Sequence, residues 1–510
     1  MKSVIKLENV TKTYVIAQKK QNVLDDINLD ILCGEFILLR GDNGSGKTTL
    51  VNLLCGLQSP NQGAIEVFGK SPQDPKSHLR LGTMLQRAKP VEYLTVKETI
   101  QLFRSYYPQP LELEDTINRS RLDTKQNDYA TTLAGGQAQS LYFALAIVGN
   151  PDLLILDEPT NNLSQEAREN FWKQVREFHS QGKTIIAISH SQQDCDEIAD
   201  LVTRELILEP SHGKIQEISS PRYQDLLAVV NSTDNSPQHS PASSDYQENN
   251  FISNSKAFWG QFYAEMLQGF RKIDTVLGSA ISAIAIGFFL DKSSQESFQA
   301  YVSISLSALI LFLCITQFCL KIASERDRGW LKLIRITPLP FTTYLAAKVG
   351  IFSLLALTMS GLSLITAEVE SLVHHKPALI FEPWMLWLSL ILLLAIVPFA
   401  IFSFTLGYLF KPESVRWVSL IVIALILLTV GWNPTSLFPQ PWFEQLVLYS
   451  PAYHYGQLIA WIGQANFQIS NSIIFKFDNY PLVHILWLLW WTVVAGVLAQ
   501  LAYRREVLSG

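Results

Sequence analysis

The second half of the chain contains six apolar segments, and they are the feature that most constrains its fold. Most of them are long enough to cross a hydrocarbon core of about 30 Å as a helix that rises about 1.5 Å per residue. They lie at about residues 273–290, 302–323, 343–367, 384–410, 417–433 and 482–503. We therefore predict an all-α membrane domain of six spans over residues 273–510, in which the first and fifth spans have the least defined boundaries.

The charge of the chain changes at about its midpoint. Residues 1–255 carry 24 Lys and Arg against 32 Asp and Glu, a net charge of −8, whereas residues 256–510 carry 16 against 13, a net charge of +3. This shift indicates a soluble domain followed by a membrane domain. The acidic first half argues against nucleic acid as a partner, because phosphate backbones bind basic surfaces.

Basic residues beside the apolar segments predict the orientation of the chain. With the N-terminus inside, thirteen Lys and Arg flank the spans on the cytoplasmic side and three lie in external loops. This bias predicts a multi-pass protein of the cell (inner) membrane with both termini in the cytoplasm. Asp274, Lys321 and Lys348 lie near cytoplasmic ends of the spans, and we expect them to snorkel to the interface.

Three other segments have distinctive compositions. Residues 223–255 include a stretch with almost no aliphatic side chains, which predicts a polar, disordered linker. Residues 256–272 place aromatic side chains on one helical face, which predicts an amphipathic helix in contact with membrane lipids. Residues 434–480 are apolar in patches but interrupted by prolines, which favours re-entrant or interfacial helices on the outer side.

The cysteines have no spacing typical of a disulfide framework or a zinc site. They also lie in a predicted intracellular domain or inside an apolar run, where neither disulfides nor zinc are expected. We therefore predict ordinary buried thiols at Cys33, Cys55, Cys195, Cys314 and Cys319.

Residues 1–222 alternate short apolar runs with helical patterns, which predicts an α/β domain with a parallel sheet. The runs at 36–39, 153–156 and 184–188 are each followed by polar residues. Ligands bind at the carboxyl ends of the strands in open α/β sheets, so we expect these polar residues to form one site.

The loop after the first of these strands matches the phosphate-binding pattern GxxxxGK[ST]. Its glycines let backbone N–H groups curl around phosphates, and the following helix adds its dipole. Lys47 provides a positive charge for the outer phosphates, and Thr48 provides a hydroxyl ligand for Mg²⁺. We predict that ATP and Mg²⁺ bind to Gly41, Asp42, Asn43, Gly44, Ser45, Gly46, Lys47, Thr48 and Thr49.

Two carboxylates follow the second strand. Asp157 is placed to hold Mg²⁺, and Glu158 is placed to orient or deprotonate the attacking water. The alternative for a lone Asp-Glu pair is a solvated turn, but this pair follows a buried strand and precedes Pro159. Hydrolytic roles are therefore favoured.

With these motifs the chain resembles the ATP-binding-cassette (ABC) transporters, and other motifs of that family follow in order. Gln86 matches the glutamine that senses Mg²⁺, and His190 matches the switch histidine that meets the γ-phosphate. Tyr14 fits the aromatic residue that stacks on adenine, although aromatic residues also favour strands for packing alone. The signature motif of the family is matched by Leu133, Ala134, Gly135, Gly136 and Gln137.

The resemblance implies a P-loop ATPase cassette with a parallel sheet and a helical subdomain. Two cassettes of this family face head to tail, and each ATP lies between one phosphate loop and the signature helix of the other cassette. The chain is therefore expected to act as a half-transporter with a second half as partner, with a homodimer favoured over a paralogous heterodimer.

Two positions depart from the pattern of the family. Ala134 replaces the usual signature serine, and Ser164 replaces the usual Asp after the second motif. The lost hydroxyl at Ala134 removes one hydrogen bond to a charged group, worth roughly 1.5–3 kcal/mol. We expect slow but real hydrolysis.

The segment from Glu325 to Leu339 resembles the E-x-x-x-G…T-P-L cytoplasmic segment of ABC type-2 exporters, so we expect it to dock on a cassette. The resemblance implies ATP-driven export of an unknown amphipathic, lipid-like, drug-like or glycan substrate. The alternative is a nucleotide-binding regulatory or scaffolding subunit with little ATP turnover.

Overall fold

The computed structural model describes residues 3–16, 19–86, 89–90, 92–161, 163–209, 213–220, 254–272, 317–373, 384–430, 448–467 and 480–509. The chain divides into two compact units. The first unit comprises residues 1–264, 328–344 and 505–510, and the second comprises residues 265–327 and 345–504.

The strands of the first unit form two sheets. They are β1 (Ser3–Ile16), β2 (Lys19–Leu32), β3 (Phe36–Arg40), β4 (Gln62–Val67), β5 (Leu81–Met84), β6 (Leu153–Asp157), β7 (Thr184–Ile188), β8 (Arg204–Leu208) and β9 (Ile215–Ser219). One sheet is antiparallel, with the order β2-β1-β4. Its strands alternate buried and exposed residues, as a sheet with one covered face requires.

The other sheet has the order β5-β6-β7-β3-β8-β9, and its first five strands are parallel. Every residue of β6 and β7 is buried, which explains their continuous apolar runs. The predicted α/β cassette with a parallel sheet is confirmed.

Helices cover this sheet and form the rest of the cassette. They are α1 (Lys47–Leu54), α2 (Pro75–His78), α3 (Val96–Arg104), α4 (Leu113–Arg119), α5 (Gly135–Ile147), α6 (Gln165–His179) and α7 (Gln192–Ile198). In the main core, Phe36 and Leu154 of the sheet pack with Phe143 of α5 and Trp172 of α6. Each such fully buried side chain stabilises the fold by about 1.5–3 kcal/mol.

The chain continues as helices. They are α8 (Asn254–Arg271), α9 (Cys319–Asp327), α10 (Trp330–Arg335), α11 (Phe341–Val373), α12 (Trp384–Leu409), α13 (Pro412–Val430), α14 (Pro451–Phe467) and α15 (Pro481–Ser509). Within the second unit, α9 packs against α12 and α13, and α14 packs against the same two helices. The described part of this half is helical, as predicted.

The described residues contain two helical stretches that are long and apolar enough to cross a membrane, Phe341–Met359 and Pro481–Arg504. A shorter apolar stretch lies at Ile396–Leu409. The predicted span at 273–290 and most of the one at 302–323 lie outside the described residues. The count of six spans therefore stays a prediction.

Helix α8 coincides with the predicted amphipathic helix but begins at Asn254. Its aromatic side chains at Trp259, Tyr263 and Phe270 are exposed, whereas Ala257 and Gln261 are buried. The predicted linker before it lies outside the described residues up to residue 253. Contact of the exposed aromatic face with lipid stays a prediction.

The expectation that Lys348 snorkels is wrong. Lys348 is completely buried, and its Nζ lies 2.7 Å from Glu265 Oε1 and 2.6 Å from Glu325 Oε1. Lys321 Nζ lies 2.5 Å from Glu265 Oε2. Burial alone would raise the pKa of Glu265, but the ammonium groups of Lys321 and Lys348 outweigh burial and lower it to about 2. We call these four residues the charge cluster.

The cysteines of the described residues have free thiols, and the predicted burial holds for all of them but Cys33. Cys55, Cys195 and Cys319 are buried, and Cys33 is half-buried. Burial raises the pKa of Cys55 to about 12. Cys314 lies outside the described residues.

Candidate functional site

The site forms where the three neighbouring strands β6, β7 and β3 end. In the sheet, β7 lies between β6 and β3, and all three run parallel. Their carboxyl ends therefore meet at one edge, which brings together the phosphate loop, Asp157 with Glu158, and Ser189 with His190.

The phosphate loop links β3 to helix α1 and approaches its surroundings closely. Gly46 has a φ of 106° and precedes the helix, and a Cβ placed there would lie 2.8 Å from Val23 Cγ1. Glycine is required because other residues would be strained and would clash with β2. Val23 was missed from the sequence, because nothing in β2 marks the residue that covers the loop.

Polar groups inside the loop fit a phosphate ligand. Lys47 is buried, and its Nζ donates to the carbonyl oxygens of Gly41 and Asp42 at 2.7 and 2.9 Å. Ser45 Oγ is buried and has no hydrogen-bond partner among the described residues. A buried hydroxyl without a partner is unfavourable, and an oxygen-rich anion would satisfy it.

Asp157 is 4% exposed at the end of β6. Burial and then the charge of Glu158 raise its pKa to about 6, while Lys47 opposes the shift. A buried carboxylate of this kind gains from a nearby cation, so its chemistry fits Mg²⁺. Thr48, in the first turn of α1, is exposed.

Glu158 and His190 are in direct contact. His190 Nδ1 lies 2.7 Å from Glu158 Oε1, with Glu158 7% exposed and His190 53% exposed. Glu158 has a φ of 50°, in the left-handed region, and its N–H donates to the Ile188 carbonyl at 3.0 Å. The sharp turn after β6 aims the carboxylate at the histidine.

Other residues predicted for the site lie further along the same unit. Gln86 is exposed just after β5. Tyr14 is half-buried in β1, and its hydroxyl donates a hydrogen bond to Gln58 Oε1 at 2.9 Å. Ala134 and Gly135 are exposed at the start of α5, followed by Gly136 and Gln137.

The two departures from the family pattern have local consequences. Ala134 is the N-cap residue of α5 and has no side-chain oxygen for capping, although its N–H lies 3.4 Å from Gln137 Oε1. Ser164 Oγ accepts a hydrogen bond from Ala167 N at 3.3 Å and caps α6. Ser164 therefore keeps a structural role as a helix cap.

Asp194 was not singled out from the sequence, yet it lies beneath the site. It is 1% exposed, and its Oδ2 accepts hydrogen bonds from Thr160 Oγ1 at 2.5 Å and Ser189 Oγ at 2.7 Å. Trp172 Nε1 donates to its Oδ1 at 3.0 Å. An acidic residue four positions after His190 is the only sequence signal for it.

The segment predicted to dock packs on the cassette from Arg328 onward, within the first unit. Lys89 N donates to the Arg328 carbonyl at 3.0 Å, and Arg328 pairs with Glu92. The Trp330 ring lies 5.6 Å from the Phe103 ring in an edge-on arrangement. His78 Nδ1 also lies 3.3 Å from the Thr337 carbonyl.

Comparison with known families identifies the class of protein. The ABC transporter family matches residues 24–161 of the chain. The ABC-2 family transporter proteins match residues 213–501, which is more than half of the chain. The chain is therefore an ABC transporter protein with an ATPase cassette. Within this class it belongs to the ABC-2 family, and it is a membrane protein.

Individual relatives match the cassette. The chain is 34% identical over 204 residues to the Nod factor export ATP-binding protein I of Sinorhizobium fredii (strain NBRC 101917 / NGR234). This match covers 38% of this chain and 58% of that protein. It is 35% identical over 236 residues to the energy-coupling factor transporter ATP-binding protein EcfA2 of Clostridium perfringens (strain 13 / Type A), covering 42% and 81%. A sulfate/thiosulfate import ATP-binding protein CysA 1 of Agrobacterium fabrum (strain C58 / ATCC 33970) is 31% identical over 231 residues, covering 42% and 63%.

Among solved structures, the chain is similar to an ATP-binding cassette in a dimeric post-hydrolysis state bound to ADP and Pi. The identity is 25%, the TM-score is 0.39, and the match covers 42% of this chain and 98% of the other.

Proposed function

We propose that the chain hydrolyses ATP at the ends of β3, β6 and β7 and uses this reaction to drive export across a membrane. The observation that carries the proposal is the contact of 2.7 Å between Glu158 and His190, at the same sheet edge as the phosphate loop. A buried carboxylate held beside a histidine is arranged to orient water for attack on a phosphate.

Each residue of the site has a proposed role. Lys47 holds the outer phosphates, and Glu158 orients or deprotonates the attacking water while His190 holds the γ-phosphate. Thr48, Asp157 and Gln86 would hold Mg²⁺, which when bound would neutralise charge on the phosphates. Tyr14 stacks on adenine.

The signature residues Ala134, Gly135, Gly136 and Gln137 are proposed to bind the ATP of a second cassette. Support comes from their exposure at the N-terminus of the 13-residue helix α5, where free N–H groups favour an anion. The chain would then work as one half of a dimer, with an identical chain preferred over a paralogous one.

Export rests on the membrane half. The names of the cassette relatives include both export and import proteins, so the cassette alone gives no direction. The resemblance to type-2 exporters supports export, and the packing of residues 328–337 on the cassette, within the first unit, supports the docking role proposed for this segment. The bias of basic residues supports an inner-membrane, multi-pass chain with cytoplasmic termini.

A second candidate function is a regulatory subunit with little turnover, favoured by the missing side-chain cap at Ala134. The test is ATP hydrolysis by the full chain in liposomes with Mg²⁺. We expect Glu158→Gln to lower kcat by about 100-fold or more, because a positioned general base contributes about 10²–10⁴-fold. The exposed Glu166 provides the control variant Glu166→Gln, which should keep the parent rate.

Equal turnover by the parent and Glu158→Gln would contradict the hydrolytic assignment, and a rate near zero in both would support the regulatory role. Transport is measured in the same liposomes with candidate amphipathic compounds. Where the cassette faces the outside of the vesicle, export is seen as uptake of the compound, and uptake that requires ATP supports export.

A further inference from the structure

The carboxylate of Asp194 lies where the two loops that carry Glu158 and His190 come together. Its two hydroxyl partners belong to those loops, since Thr160 follows Glu158 by two positions and Ser189 directly precedes His190. Thr160, Ser189 and Asp194 are each at most 3% exposed. The contacts therefore form a buried bridge between the loops.

The backbone pairing of the sheet stops where these two loops begin. The pairing of β6 with β7 ends at Asp157 and Ile188, just before Glu158 and Ser189. One further backbone bond, from Glu158 N to the Ile188 carbonyl, continues the pairing. Beyond it, Asp194 Oδ2 accepts from both loops at once and so fixes their separation.

Asp194 is itself held firmly. Its Oδ1 accepts from Trp172 Nε1 at 3.0 Å and lies 3.3 Å from Arg168 Nε. Ser189 Oγ also accepts a hydrogen bond from Ser191 N at 3.1 Å, so the Ser189 side chain bonds to the backbone on the far side of His190. The carboxylate accepts hydrogen bonds from three donors and forms an ion pair with the Arg168 guanidinium, so it is arranged to hold its neighbours in place.

We propose that Asp194 is a positioning residue for ATP hydrolysis, which holds the His190 loop against the Glu158 loop through Ser189 and Thr160. The inference rests on the proposed hydrolytic function. A catalytic contact of 2.7 Å requires placement to a fraction of an ångström, and a shift of about 1 Å can cost about 100-fold in rate.

The first variant is Asp194→Asn in the full chain in liposomes. The amide keeps the shape but only one acceptor oxygen, so its NH₂ group faces either the two hydroxyls or the N–H groups of Trp172 and Arg168, and it can accept from neither pair. We expect kcat for ATP to fall by roughly ten- to a hundredfold, while KM changes by less than about twofold because no phosphate-loop residue contacts Asp194 in the described contacts. Asp196→Asn is the control, because Asp196 is exposed on the same helix and accepts from Gln192.

A second set of variants separates positioning from folding. Thr160→Val with Ser189→Ala removes the two donors and leaves the carboxylate, and should reproduce the kcat loss. Adding Asp194→Asn to this pair should then cost little more, because the bridge is already absent. The number of nucleotide-binding sites, measured by titration, corrects kcat for any unfolded protein.

The outcomes are distinct. Unchanged kcat per binding site in Asp194→Asn, or a full additional loss on top of the double variant, overturns the positioning role. A parallel drop in kcat and in the number of binding sites shows that Asp194 serves folding only, and also overturns it. If Glu158→Gln keeps the parent rate in the same assay, the proposed hydrolytic function itself is refuted. If Glu158→Gln loses hydrolysis but Asp194→Asn keeps the parent kcat, only the positioning role of Asp194 is refuted.

Discussion

Glu158 occupies a backbone conformation that non-glycine residues seldom adopt. Its φ of 50° lies in the left-handed region, which costs roughly 1–2 kcal/mol for a residue with a Cβ. The hydrogen bond from its N–H to Ile188 and the contact with His190 hold it there. Strain at the residue with the proposed catalytic role indicates that the turn is kept for its geometry.

Ala134 provides a prediction at the scale of one residue. Ala134→Ser adds a hydroxyl at the start of α5, where in the proposed dimer it would face the phosphate bound to a second cassette. We expect kcat for ATP to rise by roughly tenfold or more, because a hydrogen bond to a charged group is worth roughly 1.5–3 kcal/mol and about 1.4 kcal/mol is a factor of ten. The measurement is phosphate release at saturating MgATP.

The control for this prediction is Ala134→Asp. Both Ser and Asp cap a helix and should stabilise α5 by about 1 kcal/mol. Only Asp adds a negative charge that repels phosphate, so it should raise thermal stability and lower turnover. Faster hydrolysis by both variants would mean that helix capping, and not contact with phosphate, limits the rate.

Sequence reasoning at this scale succeeded where a residue type and its neighbours are both distinctive. Lys47, Asp157 and His190 each follow a buried strand, so their convergence at one sheet edge could be predicted. Asp194 and Lys348 could not, because each has partners on other elements, such as Thr160 and Trp172, which lie 34 and 22 positions before Asp194. Burial of Lys348 depends on carboxylates that lie 83 and 23 positions earlier.

At the scale of elements, helix α8 approaches helix α3 very closely. A Cβ at Gly260 would lie 2.1 Å from Ser105 Oγ and 2.5 Å from Ser105 Cβ. We expect Gly260→Ala to destabilise this contact by about 1–3 kcal/mol, a usual cost of overpacking. Thermal unfolding of the purified full chain measures it.

Gly269 offers a matched control, because a Cβ there meets nothing within 4 Å. Gly269→Ala should be neutral or slightly stabilising, since alanine favours helix. Combining Gly260→Ala with Ser105→Gly should recover part of the loss. Equal unfolding temperatures for the two alanine variants would contradict the close contact.

The docking segment yields another prediction. Trp330 is 2% exposed and packs against Phe103. Trp330→Ala should loosen the segment, because burying a large aromatic side chain is worth about 3–5 kcal/mol. We expect trypsin to cleave after Lys332 or Arg335 at least about tenfold faster than in the parent, a factor that corresponds to 1.4 kcal/mol.

The control for this prediction is a surface change on α10 itself. Leu331 is buried, but Lys332 is exposed on the same helix, so Lys332→Arg keeps the trypsin site and the contacts. It should be cleaved at the parent rate. Identical cleavage of Trp330→Ala and Lys332→Arg would show that Trp330 does not hold the segment.

Helices and strands could be predicted from the sequence wherever a single hydrophobic pattern dominated the segment. The runs at β6 and β7 and the long apolar stretches of α11 and α15 were found with small errors at their ends. Helix α8 was predicted from its aromatic face, but the burial of its small and polar side chains was not. The buried face of α8 is determined by the surface that packs against it, and the hydrophobic pattern of one segment carries no information about that surface.

At the scale of the whole molecule, the charge cluster joins α8, α9 and α11 in the second unit. Its two carboxylates and two ammonium groups balance, with Lys348 between Glu265 and Glu325. We expect Lys348→Met to destabilise the chain by about 3–5 kcal/mol, because removing one partner leaves buried charge uncompensated. Thermal unfolding in detergent is the measurement.

Lys411→Met serves as the control, because Lys411 is exposed. Adding Glu325→Gln to Lys348→Met removes one of the unpaired charges and should restore part of the stability. A Lys348→Met protein as stable as Lys411→Met would show that the cluster contributes nothing.

The strand order of the large sheet also governs when the site can form during synthesis. Strand β3 pairs with β7 and β8, and the paired residues Phe36 and Ile185 lie 149 positions apart. A ribosome that adds about 5–20 residues per second needs roughly 7–30 s to make that stretch. Until then, the nascent phosphate loop has no neighbouring strands beside it. The strand order therefore imposes a delay between the synthesis of the phosphate loop and the formation of a sheet edge at which the loop can bind a nucleotide.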